Sequence, residues 1–305
     1  MTCIELCAGM GGMSLGLQRA GYRHLLMVER DDRCIEALRK NGFDQHLLHA
    51  DLTTVDFAQY RGQVDLVAGG VPCQPFSSGG KGTGQHDERN LFEHAIRCVD
   101  ECRPRAFLFE NVAGLTRPQF AAYLHSILGR LSELGYRVTH HVVDATHYGC
   151  PQRRKRCLIV GTKAEKAEKA KKAEKAKPFA PPPPTTPQPI TVRQMMHDLG
   201  PPDHTETVDR HTLHHRVPRA YKNHLPSQLD KPAKTLLAGA NGPGGGTNCI
   251  ILDDGSLRYF TLREMARLQS FPDSYVLDPV WSHAVKQLGN AAPPALICEF
   301  AKQLR

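Results

Sequence analysis

The sequence contains no C-x-x-C pair, so zinc ribbons and fingers find no support in it. Ten cysteines in 305 residues are too sparse for a disulfide scaffold. Several lie in apolar, strand-like runs, where cysteine acts as a small buried hydrophobe, and a reducing cytoplasm is the expected setting. No stretch reaches 18 uninterrupted apolar residues, so no transmembrane helix is expected. Met1-Thr2-Cys3-Ile4-Glu5 lacks the basic region and small-residue cleavage site of a signal peptide. The dinucleotide fingerprint G-x-G-x-x-G is missing too. A broadly basic surface is a further absence. The net charge of +8 comes from residues 163–177, with seven Lys and three Glu, and from Arg153-Arg154-Lys155-Arg156, each contributing +4. The rest of the chain sums to zero, so the total says little about partners.

What is present is an alternation. Cys3–Ala8, His24–Glu29, His46–Leu52, Val64–Gly69 and Ala106–Val112 read as strands. Between them, Met13–Ala20, Asp32–Lys40, Leu91–Glu101 and Phe120–Leu134 read as helices, and Val138–Val143 with Cys157–Gly161 as a closing pair. Such alternation predicts an α/β fold with a mostly parallel sheet covered on both faces. Residues 163–177 are a Lys/Ala/Glu tract with no apolar face, followed by a Pro-rich stretch, which reads as a solvated spacer. Residues 190–260 are rich in His, Pro and Gly and have few long apolar runs. Helical spacing returns over Leu262–Phe271 and again over Ala295–Leu304.

Five segments could carry chemistry. Glu5–Gly12 is a Gly-rich turn between a strand and a helix, and Glu29 follows Gly9 by 20 positions. Gly-rich turns let backbone approach a nucleotide, and an acid closing the second strand can take ribose hydroxyls. Ser14 stands where the dinucleotide fingerprint needs its third Gly. The pattern therefore suits S-adenosylmethionine, which has a nucleoside and no phosphate, better than NAD. Cys73 lies between Pro72 and Pro75 after a strand, where open α/β sheets place ligands, and this points to a nucleophile. The polar, Gly-rich stretch Ser77–Asn90 reads as a lid. Glu110 closes an apolar strand, where burial raises a carboxyl pKa and suits it to proton sharing. In Gln152–Arg156, strand alternation turns Arg154 and Arg156 one way and Arg153 and Lys155 the other. Gln287–Pro294 reads as a turn leading into the last helix. His211, His214 and His215 have no Cys or acidic companions and read as exposed loop residues, so no metal is expected.

In this order, these motifs resemble the cytosine-C5 DNA methyltransferase family, over Thr2–Thr162 and Thr261–Ala301. The resemblance implies a Rossmann-like class I methyltransferase sheet with a smaller, irregular target-recognition domain. The expected division is 1–162 plus 280–305 for catalysis and cofactor, 163–187 for the linker and 188–279 for target recognition. It further implies that Cys73 adds to C6 of a cytosine flipped out of double-stranded DNA. Glu110 would act at N3, Arg154 and Arg156 would hold O2 and order the catalytic loop, and Asn111 would hold the site's backbone. S-adenosylmethionine would lie among Cys7, Gly9, Gly11, Gly12, Glu29, Asp51, Pro72, Leu91 and Asn290, with Glu29 on the ribose and Asp51 on the adenine amino group. Cys7 stands where the family usually has Phe, and Glu5 where it usually has Asp. Ser77, Lys81 and Arg89 would meet the DNA, as would Gly244 and Gly245 in the Ala238–Thr247 loop. The tRNA-methylating branch of the family carries Pro-Pro-Cys-Gln and a Cys-Phe-Thr block. This chain has Val71-Pro72-Cys73-Gln74 and no such block, which favours DNA. A monomer without membrane attachment is expected. A restriction endonuclease reading the same site is the partner such enzymes imply.

Overall fold

The computed structural model describes residues 1–72, 91–163, 178–203, 210–215, 217–218, 226–239 and 248–305. The sheet-forming segments are β1 (Thr2–Leu6), β2 (Arg23–Glu29), β3 (Leu47–His49), β4 (Leu66–Gly69), β5 (Ala106–Val112), β6 (Tyr136–Asp144) and β7 (Lys155–Lys163). They form one sheet in the order β3-β2-β1-β4-β5-β7-β6. Every pairing from β3 to β5 is parallel, and β7 runs antiparallel between β5 and β6. The order reverses between β1 and β4, so a crevice opens beyond the carboxyl ends of these strands.

The helices of this part are α1 (Gly12–Arg19), α2 (Asp32–Lys40), α3 (Phe92–Cys102) and α4 (Ala121–Glu133). Asp31 caps α2 by accepting from the N–H groups of Arg33 and Cys34 at 3.0 and 3.2 Å. That cap supplies partners for donors the first turn leaves unpaired. The central strands are buried on both faces. Phe107, Phe109, Cys157 and Ile159 pack under α3 and α4, whereas Leu66, Leu108, Leu158 and Val160 pack under α1 and a C-terminal helix, α8 (Pro294–Lys302). Gly161 is required here, because a Cβ at that position would lie 2.2 Å from the Phe107 ring.

The remaining described elements are α5 (Val192–Met196), α6 (Leu262–Leu268), α7 (Trp281–Asn290) and a small sheet in the order β10-β9-β8. Its strands are β8 (Ser227–Gln228), β9 (Cys249–Ile251) and β10 (Leu257–Tyr259). A capping box starts α6: Thr261 Oγ1 accepts from the Glu264 N–H, and Glu264 Oε2 accepts from the Thr261 N–H. One hydrophobic cluster joins Met10, Met27 and Leu38 to Val192, Phe260, Met265 and Phe271, so the second region shares a core with the first. Among the described residues, no helix is long and apolar enough to cross a membrane.

Two sequence expectations need correcting. Gln287–Pro294 is not simply a turn, because Gln287–Asn290 forms the last turn of α7, a ten-residue helix the sequence reading missed. The expected strand His46–Leu52 shrinks to Leu47–His49, because a 3-10 turn capped by Asp51 follows it directly. The small sheet was not foreseen either. Its strands are two or three residues long, too short for alternation to register.

Candidate active site

A cavity of about 890 Å3 lies beyond the carboxyl ends of β1, β2, β4 and β5. One wall begins at Cys7, which adopts φ 55°, and Gly9, which adopts φ 57°. These left-handed residues turn the chain sharply between β1 and α1. The Gly9 N–H donates to Glu29 Oε2 at 2.7 Å. Glu29 Oε1 accepts from the N–H groups of Arg30 and Asp31 at 2.8 and 2.9 Å. Three backbone donors thus fix a carboxylate at the end of β2 in the cavity wall, and Oε2, with one bond among the described residues, keeps a second acceptor position. Space is open where a Gly9 side chain would stand, so a ligand can approach the backbone there. Burial, and then the neighbouring Glu29 charge, push the Cys7 thiol well up, so it stays neutral and acts as an apolar surface.

The opposite wall holds Gly70, Val71, Pro72, Glu110, Asn111 and Val112. Glu110 is 7% exposed, and Arg156 Nε lies 2.6 Å from its Oε1, a close ionic contact. β5 and β7 set Glu110 opposite Leu158, and strand alternation then puts Arg156 on the same face as Glu110. Arg156 Nη1 donates to its neighbour, the Lys155 carbonyl, at 2.9 Å. Asn111 Nδ2 donates to the Val71 carbonyl at 3.0 Å, which ties the end of β5 to the chain entering residue 73. Leu91, Asn290, Gln287, Lys286 and His283 also line the cavity, the last four from α7.

The structure distributes the expected residues unevenly. Cys7, Gly9, Gly12, Glu29, Pro72, Leu91, Asn290, Glu110 and Asn111 all line the cavity. Gly12 has a packing reason as well, since a Cβ there would lie 2.3 Å from the Ala292 carbonyl. Gly11 and Asp51 are not among the lining residues. A Gly11 Cβ would meet the Tyr275 hydroxyl at 2.5 Å, and its φ of +92° suits glycine. Asp51 caps the turn after β3: Oδ1 accepts from the Thr53 N–H at 2.9 Å, and Oδ2 accepts from Arg30 Nη1 at 3.0 Å. The Thr53 bonds, followed by Arg30, hold its carboxyl below the usual aspartate range.

Arg154 also departs from expectation. It is fully buried and does not reach the cavity. Its guanidinium donates to the carbonyls of Leu236, Gly289 and Ala291 at 3.2, 2.6 and 3.0 Å. Gln152 works beside it, accepting from the Leu236 N–H at 2.8 Å and donating to the Leu268 carbonyl at 3.1 Å. Asn248 clamps Leu237 through both backbone groups, at 2.9 and 3.0 Å. These side chains strap the returning backbone onto the start of β7. A Gly289 Cβ would fall 2.3 Å from the Ala238 nitrogen, so only glycine allows that approach.

His211 is buried, not exposed, and its ring nitrogens meet Thr261 Oγ1 at 3.0 Å and the Gly200 carbonyl at 2.8 Å. His214 packs on Trp281 with ring centroids 4.3 Å apart. Cys73, Ser77, Lys81, Arg89, Gly244 and Gly245 lie outside the described residues, as do 164–177 of the Lys/Ala/Glu tract. Sequence reading missed Arg33, Cys34 and Lys286 as lining residues. Lys286 stands one helical turn before Asn290 and could have been found had α7 been recognised.

A family model described as C-5 cytosine-specific DNA methylase matches residues 1–305. The Type II methyltransferase M.NgoMIV of Neisseria gonorrhoeae is 33% identical over 313 residues, covering 99% of this chain and 96% of the relative. The Type II methyltransferase M.Eco47II of Escherichia coli is 32% identical, covering 99% of this chain and 78% of the relative. The crystal structure of the S. pombe Dnmt2 methyltransferase superposes with a TM-score of 0.73 at 18% identity, over 100% of this chain and 98% of that one, a likeness of fold. With the match running the full length and two arms of the cavity ending in Glu29 and Glu110, the chain belongs to the C-5 cytosine-specific DNA methylase family.

Proposed function

We propose that this chain methylates C5 of a cytosine within a short specific site in double-stranded DNA, with S-adenosylmethionine as cofactor. The observation that carries the reading is one cavity walled by two differently held carboxylates, Glu29 on backbone N–H groups and Glu110 against Arg156. The residues present fit the cofactor. Glu29 Oε2 keeps an acceptor position for a ribose hydroxyl, Gly9 leaves room for close approach, and Cys7, Leu52 and Leu91 offer apolar sides for adenine. When bound, S-adenosylmethionine supplies an electrophilic methyl group on its sulfonium.

The chain's own residues prepare the base. A stacked cytosine is out of reach, so the base is flipped into the cavity. The Cys73 thiolate adds to C6, forming a C–S bond and pushing the C5–C6 electron pair toward C5. Glu110 shares a proton at N3, which withdraws the charge developing on the ring. Arg156 steadies Glu110 through Nε, and its guanidinium would hold the base O2. Asn111 sets the backbone that leads to Cys73. Once C5 carries the methyl group, loss of its proton and cleavage of the C–S bond return Cys73 as thiolate. Arg154 is a positioning residue, acting through the strap it forms on the returning backbone.

Ser77–Arg89 closes over the base, with Lys81 and Arg89 on phosphates, while Gly244 and Gly245 approach the groove. The chain divides into a catalytic part, 1–162 plus 280–305, a linker at 163–187 and a recognition part at 188–279. It works as a monomer in the cytoplasm, beside a restriction endonuclease that reads the same site.

Trapping the covalent step tests the reading. The protein is incubated with S-adenosylmethionine and mixed-sequence duplex containing 5-fluorocytosine, from which the C5 substituent cannot leave as a proton. A denaturant-stable adduct with wild type and none with Cys73→Ser is expected. Methyl incorporation into tRNA with no DNA adduct would overturn the substrate, and no adduct or incorporation at all would overturn the activity.

A further inference from the structure

Arg153 and Lys155 point away from the catalytic face, and the proposed reaction does not use them. Both are exposed, and neither side chain makes a hydrogen bond or ion pair among the described residues. They line a second, open cavity of about 560 Å3, together with Thr146, His147, Pro189 and Thr235. This cavity lies where the connection from β6 to β7 meets the segments entering and leaving the second region. Its one acidic lining residue, Asp144, is engaged in the turn: Oδ1 accepts from the Thr146 N–H, the Thr146 hydroxyl and the Arg154 N–H at 3.2, 3.0 and 3.2 Å.

The two cations are well anchored. The Arg153 N–H donates to the Ala233 carbonyl at 2.8 Å, and Thr235 Oγ1 donates to the Arg153 carbonyl at 2.5 Å. Lys155 opens β7 in register with Asp144. Residues i and i+2 of an extended chain stand on one side, about 6.7 Å apart. The next residue, Arg156, turns to the other face of the strand and touches Glu110, so the two cations stand at the same end of β7 as that acid, on the opposite face.

We infer that Arg153 and Lys155 form a phosphate-binding edge that grips the backbone of the DNA substrate beside the flipped base. This rests on DNA being the substrate, as proposed above. Among the described residues the cavity offers two exposed, unpaired cations and one carboxylate already engaged in the turn. It recognises the sugar–phosphate chain and carries no sequence preference of its own. The loop that encloses the base and the groove-reading segment are separate parts of the chain, so this edge adds affinity without setting the site.

The test measures binding of the full-length protein to a duplex of about 25 base pairs by fluorescence anisotropy across a NaCl series. Each cation on a phosphate contributes about 0.9 to the slope of log Kd against log salt. Arg153→Gln and Lys155→Gln should each make the slope shallower by about 0.9, and the double variant by about twice that. The loss should be equal on duplexes with and without the methylated site, and Arg153→Lys should keep the wild-type slope. S-adenosylmethionine affinity by calorimetry should be unchanged. A wild-type slope in the double variant, or a loss confined to the specific duplex, overturns the inference. Should the double variant fail to fold, Lys155→Glu at an exposed strand position decides between the same outcomes. Wild type that binds duplex with no salt dependence defeats the phosphate edge alone. Wild type that does not bind duplex at all defeats the DNA reading itself.

Discussion

The two walls of the cavity are built on different principles. On the β1–β2 wall, backbone does the holding: three main-chain N–H groups fix Glu29, and the geometry comes from left-handed residues at Cys7 and Gly9. On the β5–β7 wall, side chains do it. Arg156 braces Glu110, Asn111 holds the Val71 carbonyl, and Arg154 with Gln152 straps in the returning chain. A backbone-held wall stays in place through most single substitutions. A side-chain-held wall depends on each of its few contributors. Under the proposed function the difference suits the work of each: binding a constant cofactor against moving protons and electron pairs on a base.

The sharpest way to break the comparison is Arg154→Ala. It removes a buried donor from three carbonyls and opens a void, with an expected cost of about 3–5 kcal/mol. The thermal midpoint should fall by on the order of 10 °C. A variant with an unchanged melt and only reduced turnover would show that the strap is not structural. Next comes Glu29→Gln, which sets an amide NH2 against backbone N–H groups. S-adenosylmethionine Kd should rise by about 10- to 100-fold by calorimetry, since bonds to a charged acceptor are worth about 1.5–3 kcal/mol. The melt should move far less than for Arg154→Ala, and an equal drop would erase the contrast between the walls.

The smallest effect belongs to Asp51, at the margin of the backbone-held wall. Its folded-state pKa is depressed, so its contribution is present above the ordinary aspartate range and fades as pH falls through the folded value. It is about one-third exposed and paired to an exposed Arg30, so the contribution is small. Midpoints of wild type and Asp51→Asn should differ slightly and by a constant amount from pH 6 to 8, then converge below about pH 4. Convergence at neutral pH instead would separate Asp51 from the turn it caps.

Much of this architecture was readable in the residues because the physics was local. Asp32–Lys40 has a side-chain cap at its start and Asn41-Gly42 at its stop, and Ala106–Val112 is a continuous apolar strand closed by an acid; both form at the boundaries read from sequence. Glu29 and Glu110 were legible as acids at strand ends. The failures came where long-range contacts decide. Arg154 was read with Arg156 because strand alternation pairs them, yet its partners lie 82 to 137 residues away in backbone whose path sequence does not reveal. Asp51 serves a turn whose 3-10 geometry leaves no periodic trace. The helix Trp281–Asn290 has no side-chain cap and ends near two prolines, so its punctuation suggested a turn.

The Asn111 amide has a mechanical consequence. Its oxygen accepts from the Val112 N–H at 2.8 Å while its nitrogen grips Val71 at 3.0 Å, so one planar group spans the ends of two neighbouring strands. The acid at position 110 and the chain running into position 73 therefore share a common mount. Twisting of the sheet displaces both together and leaves their relative alignment intact, as two instruments bolted to one bench stay aligned while the floor moves.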